Sequence, residues 1–271
     1  REMDAIILCG GRGTRLSEKT KETPKPLVEV GENPIIWHIM KIFDHYGFKR
    51  FLLALGYKGD DIKKWFLDYR IKGNFELDFN NVNLPEHVED WKVLFKNTGL
   101  EAGTAERIKQ LKDDIESNSF IVTYGDGVAD VDLKKLVEFH KKQVKKHGVL
   151  ATMSAVRPRS QYGLIRHNDH DLVESFEEKP ELKMWINIGF IVCEKKILDH
   201  IPEDKTAMMV GDVFPKIAKM KKLAIYKHEG VFYSMDTFKD YVDLNNIWNK
   251  GKAEWKIWKC ENEECIPEDI Q

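Results

Sequence analysis

The chain has little cysteine, four residues in 271, too few and too scattered for a disulfide framework. Cys9 and Cys193 fall inside apolar runs and read as small buried thiols. Cys260 and Cys265 sit in the acidic stretch CENEEC with no histidine or further cysteine nearby, so a solvated tail is a plainer reading than a metal site. No apolar run reaches the roughly 18 residues that a membrane span needs. No secretory leader is evident, and a reducing cytoplasm is expected. A formal net charge of −2 supplies no basic field for nucleic acid, so any phosphate has to be met by individually placed arginines and lysines. Linkers rich in proline or glycine are missing, as are internal repeats, and no hexapeptide repeat of a left-handed β-helix follows Asp236.

What is present is a core-forming composition, 42% hydrophobic and 32% charged, in which strand and helix patterns alternate. Met3–Cys9 is short and nearly continuously apolar, as a buried parallel strand is, and it empties into Gly10, Gly11 and Gly13. Such a turn lets the backbone approach a ligand and turns N–H groups toward anionic oxygens, while Arg12 and Arg15 add positive charge. Its spacing fits neither G-x-G-x-x-G nor the Walker pattern. Pro34–Gly47 and Asp60–Tyr69 show apolar residues at helical spacing, and Ala105–Asp113 also reads as helix. Strands are expected at Arg50–Leu55, within Asn74–Lys96 at Trp91–Phe95, at Phe120–Tyr124, and near Leu150–Val156, Leu172–Glu177, Ile188–Val192 and Leu223–Glu229. The pattern predicts an α/β fold.

Several residues carry two readings. Asp126, between Gly125 and Gly127 at a strand end, is either a ligand-facing carboxylate or a turn aspartate. Asp236, ahead of the helical Phe238–Trp248, is either functional or an N-cap. Lys25 stands between Pro24 and Pro26, which keep it out of a helical register, and a solvated loop lysine is the alternative. Glu178 and Lys179 before Pro180 look like a surface turn. His38 reads as a helix-surface or core histidine rather than a base. Most tryptophans read as core, whereas Trp255 and Trp258 near the chain end need either the body of the protein or a neighbouring subunit to cover them.

The string GGRGTRLSEKTKETPKPLVEVGENPIIWHIMKIF at 10–43 resembles the opening of the sugar-1-phosphate nucleotidyltransferases. GYKGDDIKKWF at 56–66, TYGDGVADVDL at 123–133, EEKPE at 177–181, YSMDTFKDY at 233–241 and GKAEWKIW at 251–258 extend the resemblance over most of the chain, toward the branch that uses CTP and glucose 1-phosphate. The resemblance implies a Rossmann-like mixed, mostly parallel sheet flanked by helices, without the β-helix extension of some members. It also implies one domain over 1–271, with a nucleotide-binding half at about 1–133 and a sugar-binding half and C-terminal segment at about 134–271. The reaction implied is attack by a sugar 1-phosphate on the α-phosphorus of CTP, with Mg²⁺ offsetting charge and no covalent enzyme intermediate.

Residue by residue, the resemblance gives Lys25 and Arg15 to catalysis and to the triphosphate, and Leu8, Gly10, Gly11, Gly13, Thr14, Thr104 and Arg107 to the nucleotide. Asp126 and Asp236 become metal ligands, and Glu178, Lys179 and Asn187 sugar-phosphate ligands. A homo-oligomer is expected, with neither nucleic acid nor membrane as partner. The chain departs from the branch at Ala105 and Glu106, where two glycines are usual, at Arg157–Gly163, at Ile188 in place of glycine, and at Met208–Phe214. Ile188 either fills space beside the acceptor or points into the core. A rival reading is a catalytically silent regulatory relative; the retention of Lys25, Asp126, Lys179 and Asp236 argues against it.

Overall fold

The computed structural model describes residues 3–72, 89–160 and 162–258. The Asn74–Lys96 region is seen only from residue 89 onward, and Gln161 and the Cys260–Cys265 tail lie outside the described residues. The first apolar run is strand β1 (Asp4–Cys9), buried along its length. Its side chains alternate between two cores, Ala5, Ile7 and Cys9 on one face and Ile6 and Leu8 on the other, as the two-residue strand period requires.

After the glycine loop come helix α1 (Ser17–Thr20), a small ribbon of β2 (Glu29–Val30) and β3 (Asn33–Pro34), and helix α2 (Ile35–His45). The chain then alternates through β4 (Arg50–Leu55), α3 (Gly59–Arg70), β5 (Lys92–Asn97), α4 (Thr104–Gln110) and β6 (Ser119–Tyr124). These strands lie parallel in the order β5, β4, β1, β6, so β1 is the point at which successive connections run to opposite sides of the sheet. In open α/β sheets that is where ligands bind, beyond the carboxyl ends of the strands.

The second half adds β7 (Gly127–Ala129), α5 (Leu133–His147), β8 (Ala151–Val156), a hairpin of β9 (Leu164–His167) and β10 (Val173–Glu177), then β11 (Ile186–Asn187) and β12 (Ile191–Glu194). Helix α6 (Phe214–Lys219), β13 (Leu223–Lys227), β14 (Phe232–Ser234) and α7 (Phe238–Asn249) complete it. Strand β12 runs antiparallel between β6 and β8, and β13 lies parallel on the far side of β8. Among the described residues the main sheet is therefore mixed and eight-stranded. The strand expected near Ile188–Val192 is interrupted: Gly189 and Phe190 take positive φ values of 77° and 49°, β11 pairs with β8 alone, and β12 starts afresh between β8 and β6. Helix α4 stops at Gln110, short of the expected Asp113.

Asp236 is not the cap of α7. Thr237 takes that place, its side chain accepting from Asp240 N–H while the Asp240 carboxylate accepts from the Thr237 N–H. Trp255 and Trp258 are covered by the body of the protein, at 0% and 7% exposure. They pack around fully buried His38: Trp248 meets its ring at 4.6 Å and Trp255 at 6.3 Å, while Trp258 packs edge-on to Trp37 at 5.7 Å. His38 Nε2 lies 2.8 Å from the Val30 carbonyl, and the Trp255 indole N–H points to Nδ1 at 3.5 Å. That pairing fits a neutral ring protonated on Nε2. Among the described residues no helix is long and apolar enough to cross a membrane.

Burial depresses the His38 pKa from 6.5 to about 4. A neutral folded imidazole against one that protonates on unfolding gives stability that is full above pH 6.5 and is lost as pH falls toward 4, by up to about 3 kcal/mol. Thermal melts between pH 7.5 and 4 are expected to show this slope, and His38→Gln, which can still donate to Val30, is expected to flatten it.

Candidate active site

The loop after β1 closes over a cavity of about 280 Å³ at the sheet's switch point. Leu8, Gly10, Gly11, Gly13, Thr14, Arg15, Lys25, Thr104, Arg107 and Asp126 all contribute to its wall, together with Tyr124. Gly13 requires its residue type: φ is +62°, and a Cβ there would stand 2.9 Å from Thr20 Cγ2. The Thr20 hydroxyl fixes this turn by donating to the Gly13 carbonyl at 2.8 Å.

The loop is held from the next strand end. Tyr57 N–H donates to Gly10 O at 3.2 Å, and its hydroxyl donates to Thr20 O at the same distance. Lys58, in a left-handed conformation at φ 50°, reaches Lys21 O at 2.9 Å and also Glu22 O. The GYKG segment is thus a clasp on the loop that leads to Lys25. That loop ends in a single 3₁₀ turn over Lys25–Leu27, entered from extended Pro24.

Lys25 points to the carboxylates. Its ammonium donates to Asp126 Oδ2 at 2.7 Å and to Asp236 Oδ1 at 2.9 Å, and Arg15 Nη2 reaches the same Asp236 oxygen at 2.9 Å. Asp126 comes from the turn between β6 and β7, and Asp236 from the segment joining β14 to α7; Met235 N–H donates to Asp126 O at 2.8 Å and so ties the two together. Burial works against the Lys25 charge, yet the Asp126 and Asp236 carboxylates outweigh it and hold the lysine above its ordinary range. Burial likewise works against the Asp236 charge, and the Lys25 and Arg15 cations outweigh it, leaving that carboxyl below the usual range.

Arg107 occupies an unexpected position. Its guanidinium is nearly buried and donates to the carbonyls of Leu55, Gly99, Gly10 and Leu100 at 2.7–3.3 Å and to Thr98 Oγ1 at 2.7 Å. It braces the loops after β1, β4 and β5 while forming part of the cavity wall. A Cβ at Gly10 would lie 2.1 Å from its Cζ, so the glycine makes room for the arginine. Arg12 is paired with Glu101 at 2.7 Å, joining the same two loops at the surface. At the start of α4, Thr104 accepts from Met209 N–H at 2.9 Å and its own N–H faces Met208 Sδ at 3.4 Å, while Ala105 N–H donates to Ala207 O at 3.0 Å. The two departures noted in the sequence, at Ala105–Glu106 and from Met208 onward, therefore lie on segments that pack against each other.

Glu178, Lys179 and Asn187 stand apart from the cavity wall. Glu178 and Lys179 follow β10 with 63% and 61% side-chain exposure and are 3.9 Å apart, Lys179 at a positive φ of 47°. Asn187 caps the following turn, accepting from Gly189 N–H at 2.9 Å, and shares a hydrogen bond with the Tyr124 side chain, whose phenol burial pushes up. Tyr124, a neighbour of the GDG turn not singled out from the sequence, thus links the cavity to β11. Ile188 is 2% exposed and belongs to the core, so it takes no space from an acceptor. Arg157 stacks over Trp185 at 4.8 Å.

The profile of the nucleotidyl transferase family matches residues 4–251. The chain is 40% identical over 259 residues to the "Probable glucose-1-phosphate cytidylyltransferase" of Bacillus subtilis, covering 94% of this chain and all of that one. It is 39% identical over 263 residues to the glucose-1-phosphate cytidylyltransferase of Salmonella typhimurium, covering 95% of this chain and all of the relative. Among solved structures, HddC from Yersinia pseudotuberculosis complexed with GMP-PN superposes with a TM-score of 0.64 at 26% identity, over 90% of this chain and 98% of that one.

Arg107→Ala leaves several buried carbonyls without donors and is expected to lower unfolding free energy by about 2–4 kcal/mol in urea titrations. Arg107→Lys, which keeps the charge but loses the fork, is expected to recover less than half of that loss.

Proposed function

The chain belongs to the nucleotidyl transferase family, and we propose that it transfers a cytidylyl group from CTP to glucose 1-phosphate or a closely related sugar 1-phosphate, releasing pyrophosphate. The observation that carries the reaction class is the ammonium of Lys25 set between Asp126 and Asp236 on the rim of a glycine-loop cavity. Support for cytosine and for the glucose acceptor comes from the likeness to the two cytidylyltransferases.

In this reading the backbone of Leu8–Thr14 and the start of α4 at Thr104 receive the nucleotide, with Arg107 acting through the loops it braces. Lys25 and Arg15 meet the triphosphate oxygens, where fixed cations stabilise the charge that builds as the acceptor phosphate attacks the α-phosphorus and pyrophosphate leaves in line. Glu178 accepts from sugar hydroxyls, Lys179 meets the sugar phosphate, and Asn187, steadied by Tyr124 and Gly189, orients the acceptor. The donor set of Asp126 and Asp236, two carboxylates turned to one cation position with no thiol or imidazole, suits a hard ion such as Mg²⁺ better than a soft one. Bound there, Mg²⁺ would neutralise phosphate charge. A cytoplasmic homo-oligomer completes the proposal, and the exposed apolar side chains of Leu164, Ile165, Val173 and Phe176 on the β9–β10 hairpin support self-association.

A matrix of nucleoside triphosphates against sugar 1-phosphates, read by pyrophosphate release, is expected to give the highest kcat/KM for CTP with glucose 1-phosphate. If UTP or dTTP outruns CTP the base assignment fails; if CTP reacts with other acceptors only, the sugar assignment fails. Lys25→Ala is expected to lower kcat about 100-fold or more, the ~3–4 kcal/mol typical of one lost transition-state charge contact, with circular dichroism unchanged. Near-parental turnover would remove Lys25 from the mechanism.

A further inference from the structure

The Lys25 ammonium sits where the two carboxylates converge, 2.7 Å from Asp126 Oδ2 and 2.9 Å from Asp236 Oδ1. A Mg²⁺-sized ion bonded to the same two oxygens needs contacts of about 2.0–2.1 Å, so it and the ammonium cannot share that position. The backbone of the two aspartates is tied together independently of the lysine, because Met235 N–H donates to Asp126 O. The Lys25 backbone is also fixed, by the 3₁₀ turn and its flanking prolines. Its long side chain is the free element, and it borders the cavity whose wall it shares with the glycine loop.

We propose that Lys25 is a built-in stand-in for the divalent cation, and that metal and lysine exchange places when the triphosphate binds. This rests on the metal role assigned above to Asp126 and Asp236. Without nucleotide, Lys25 neutralises the carboxylate pair and competes with any metal that approaches. A triphosphate supplies new acceptors for the ammonium, so the lysine moves onto phosphate as the carboxylates are given over to the metal. The exchange makes the enzyme a poor binder of metal alone and couples metal entry to nucleotide entry. Arg15, which is 74% exposed on the same Asp236 oxygen, is a weaker competitor because solvent screens it.

The test is Mn²⁺ binding to the full chain without nucleotide, followed by the electron paramagnetic resonance signal of free Mn²⁺. Lys25→Met is expected to bind Mn²⁺ about 10-fold or more tighter than the parent, since a like charge about 3 Å from the ion is removed. Lys25→Arg keeps a cation and is expected to stay as weak as the parent. Lys25→Gln, neutral but still able to donate to a carboxylate, guards against misfolding of the methionine variant and is expected to bind more tightly than the parent. Thermal melts give a second readout: Mn²⁺ raises the melting temperature of Lys25→Met and Lys25→Gln but leaves that of the parent nearly unmoved. If folded Lys25→Met and Lys25→Gln bind Mn²⁺ no tighter than the parent, while Asp126→Asn and Asp236→Asn abolish binding, the exchange is wrong and the metal site stands. If Lys25→Met binds Mn²⁺ tightly and adding Asp126→Asn or Asp236→Asn to it leaves that binding unchanged, the metal assignment fails and the exchange fails with it.

Discussion

A buried guanidinium sets the geometry on which the site depends. Arg107 donates to carbonyls at the ends of three neighbouring strands, at Gly10 after β1, at Leu55 closing β4, and at Gly99 and Leu100 after β5. Strand ends beyond a parallel sheet leave carbonyls without ladder partners, and a single planar donor with five N–H groups can satisfy several of them at once. The requirement propagates outward. Gly10 has no side chain because the guanidinium lies beneath it, and a Cβ at Gly56 would meet the same guanidinium at 2.7 Å. The glycine loop is thin over the cavity partly because it is packed against an arginine from below.

Above that brace the electrostatics balance within a small group. Asp126, Asp236 and Lys25, largely buried, and exposed Arg15 bring two negative and two positive charges together at the cavity rim, so none depends on a distant partner. Such a group holds its shape without ligand, and it presents cations to a polyanion without a net basic surface. That agrees with a chain whose formal charge is only −2.

Much of this arrangement is legible in the sequence, and the reason is local. The glycine turn, Lys25 between prolines, the YGDG turn and the Met-Asp-Thr segment each hang on the end of one element, so a short string specifies both residue and placement. What escaped was set by contacts between distant segments. Arg107 is assigned to the nucleotide by resemblance, and its bracing of Gly10, Leu55 and Gly99 shows only in the folded chain. The surroundings of His38 include Trp255, 217 positions away, and no pattern within α2 reveals whether that histidine is surface or core. Asp236 carries an N-cap alternative beside its functional reading because the actual cap, Thr237, is its neighbour and both residue types suit the role. The break at Gly189 and Phe190 was hidden by their apolar neighbours, since periodicity reports which side chains are buried and not whether the backbone turns between them.

The same break explains how two halves of the chain meet at one site. Had β11 and β12 formed one straight strand between β6 and β8, Asn187 would be committed to a ladder on both sides. Instead β11 pairs with β8 alone, and the positive-φ pair Gly189–Phe190 steps the chain across to β6. The step leaves the Asn187 side chain free to cap Gly189 and to reach Tyr124, which ends β6 and lines the nucleotide cavity. Phe190 pins the step from the other side, buried and stacked at 5.8 Å on Phe43 of α2. A backbone irregularity held in place by a core aromatic is thus what brings β11 within hydrogen-bonding distance of the end of β6. Residues 188–190 keep apolar or small side chains because they face the core, while Asn187 hydrogen-bonds Tyr124, which lines the cavity.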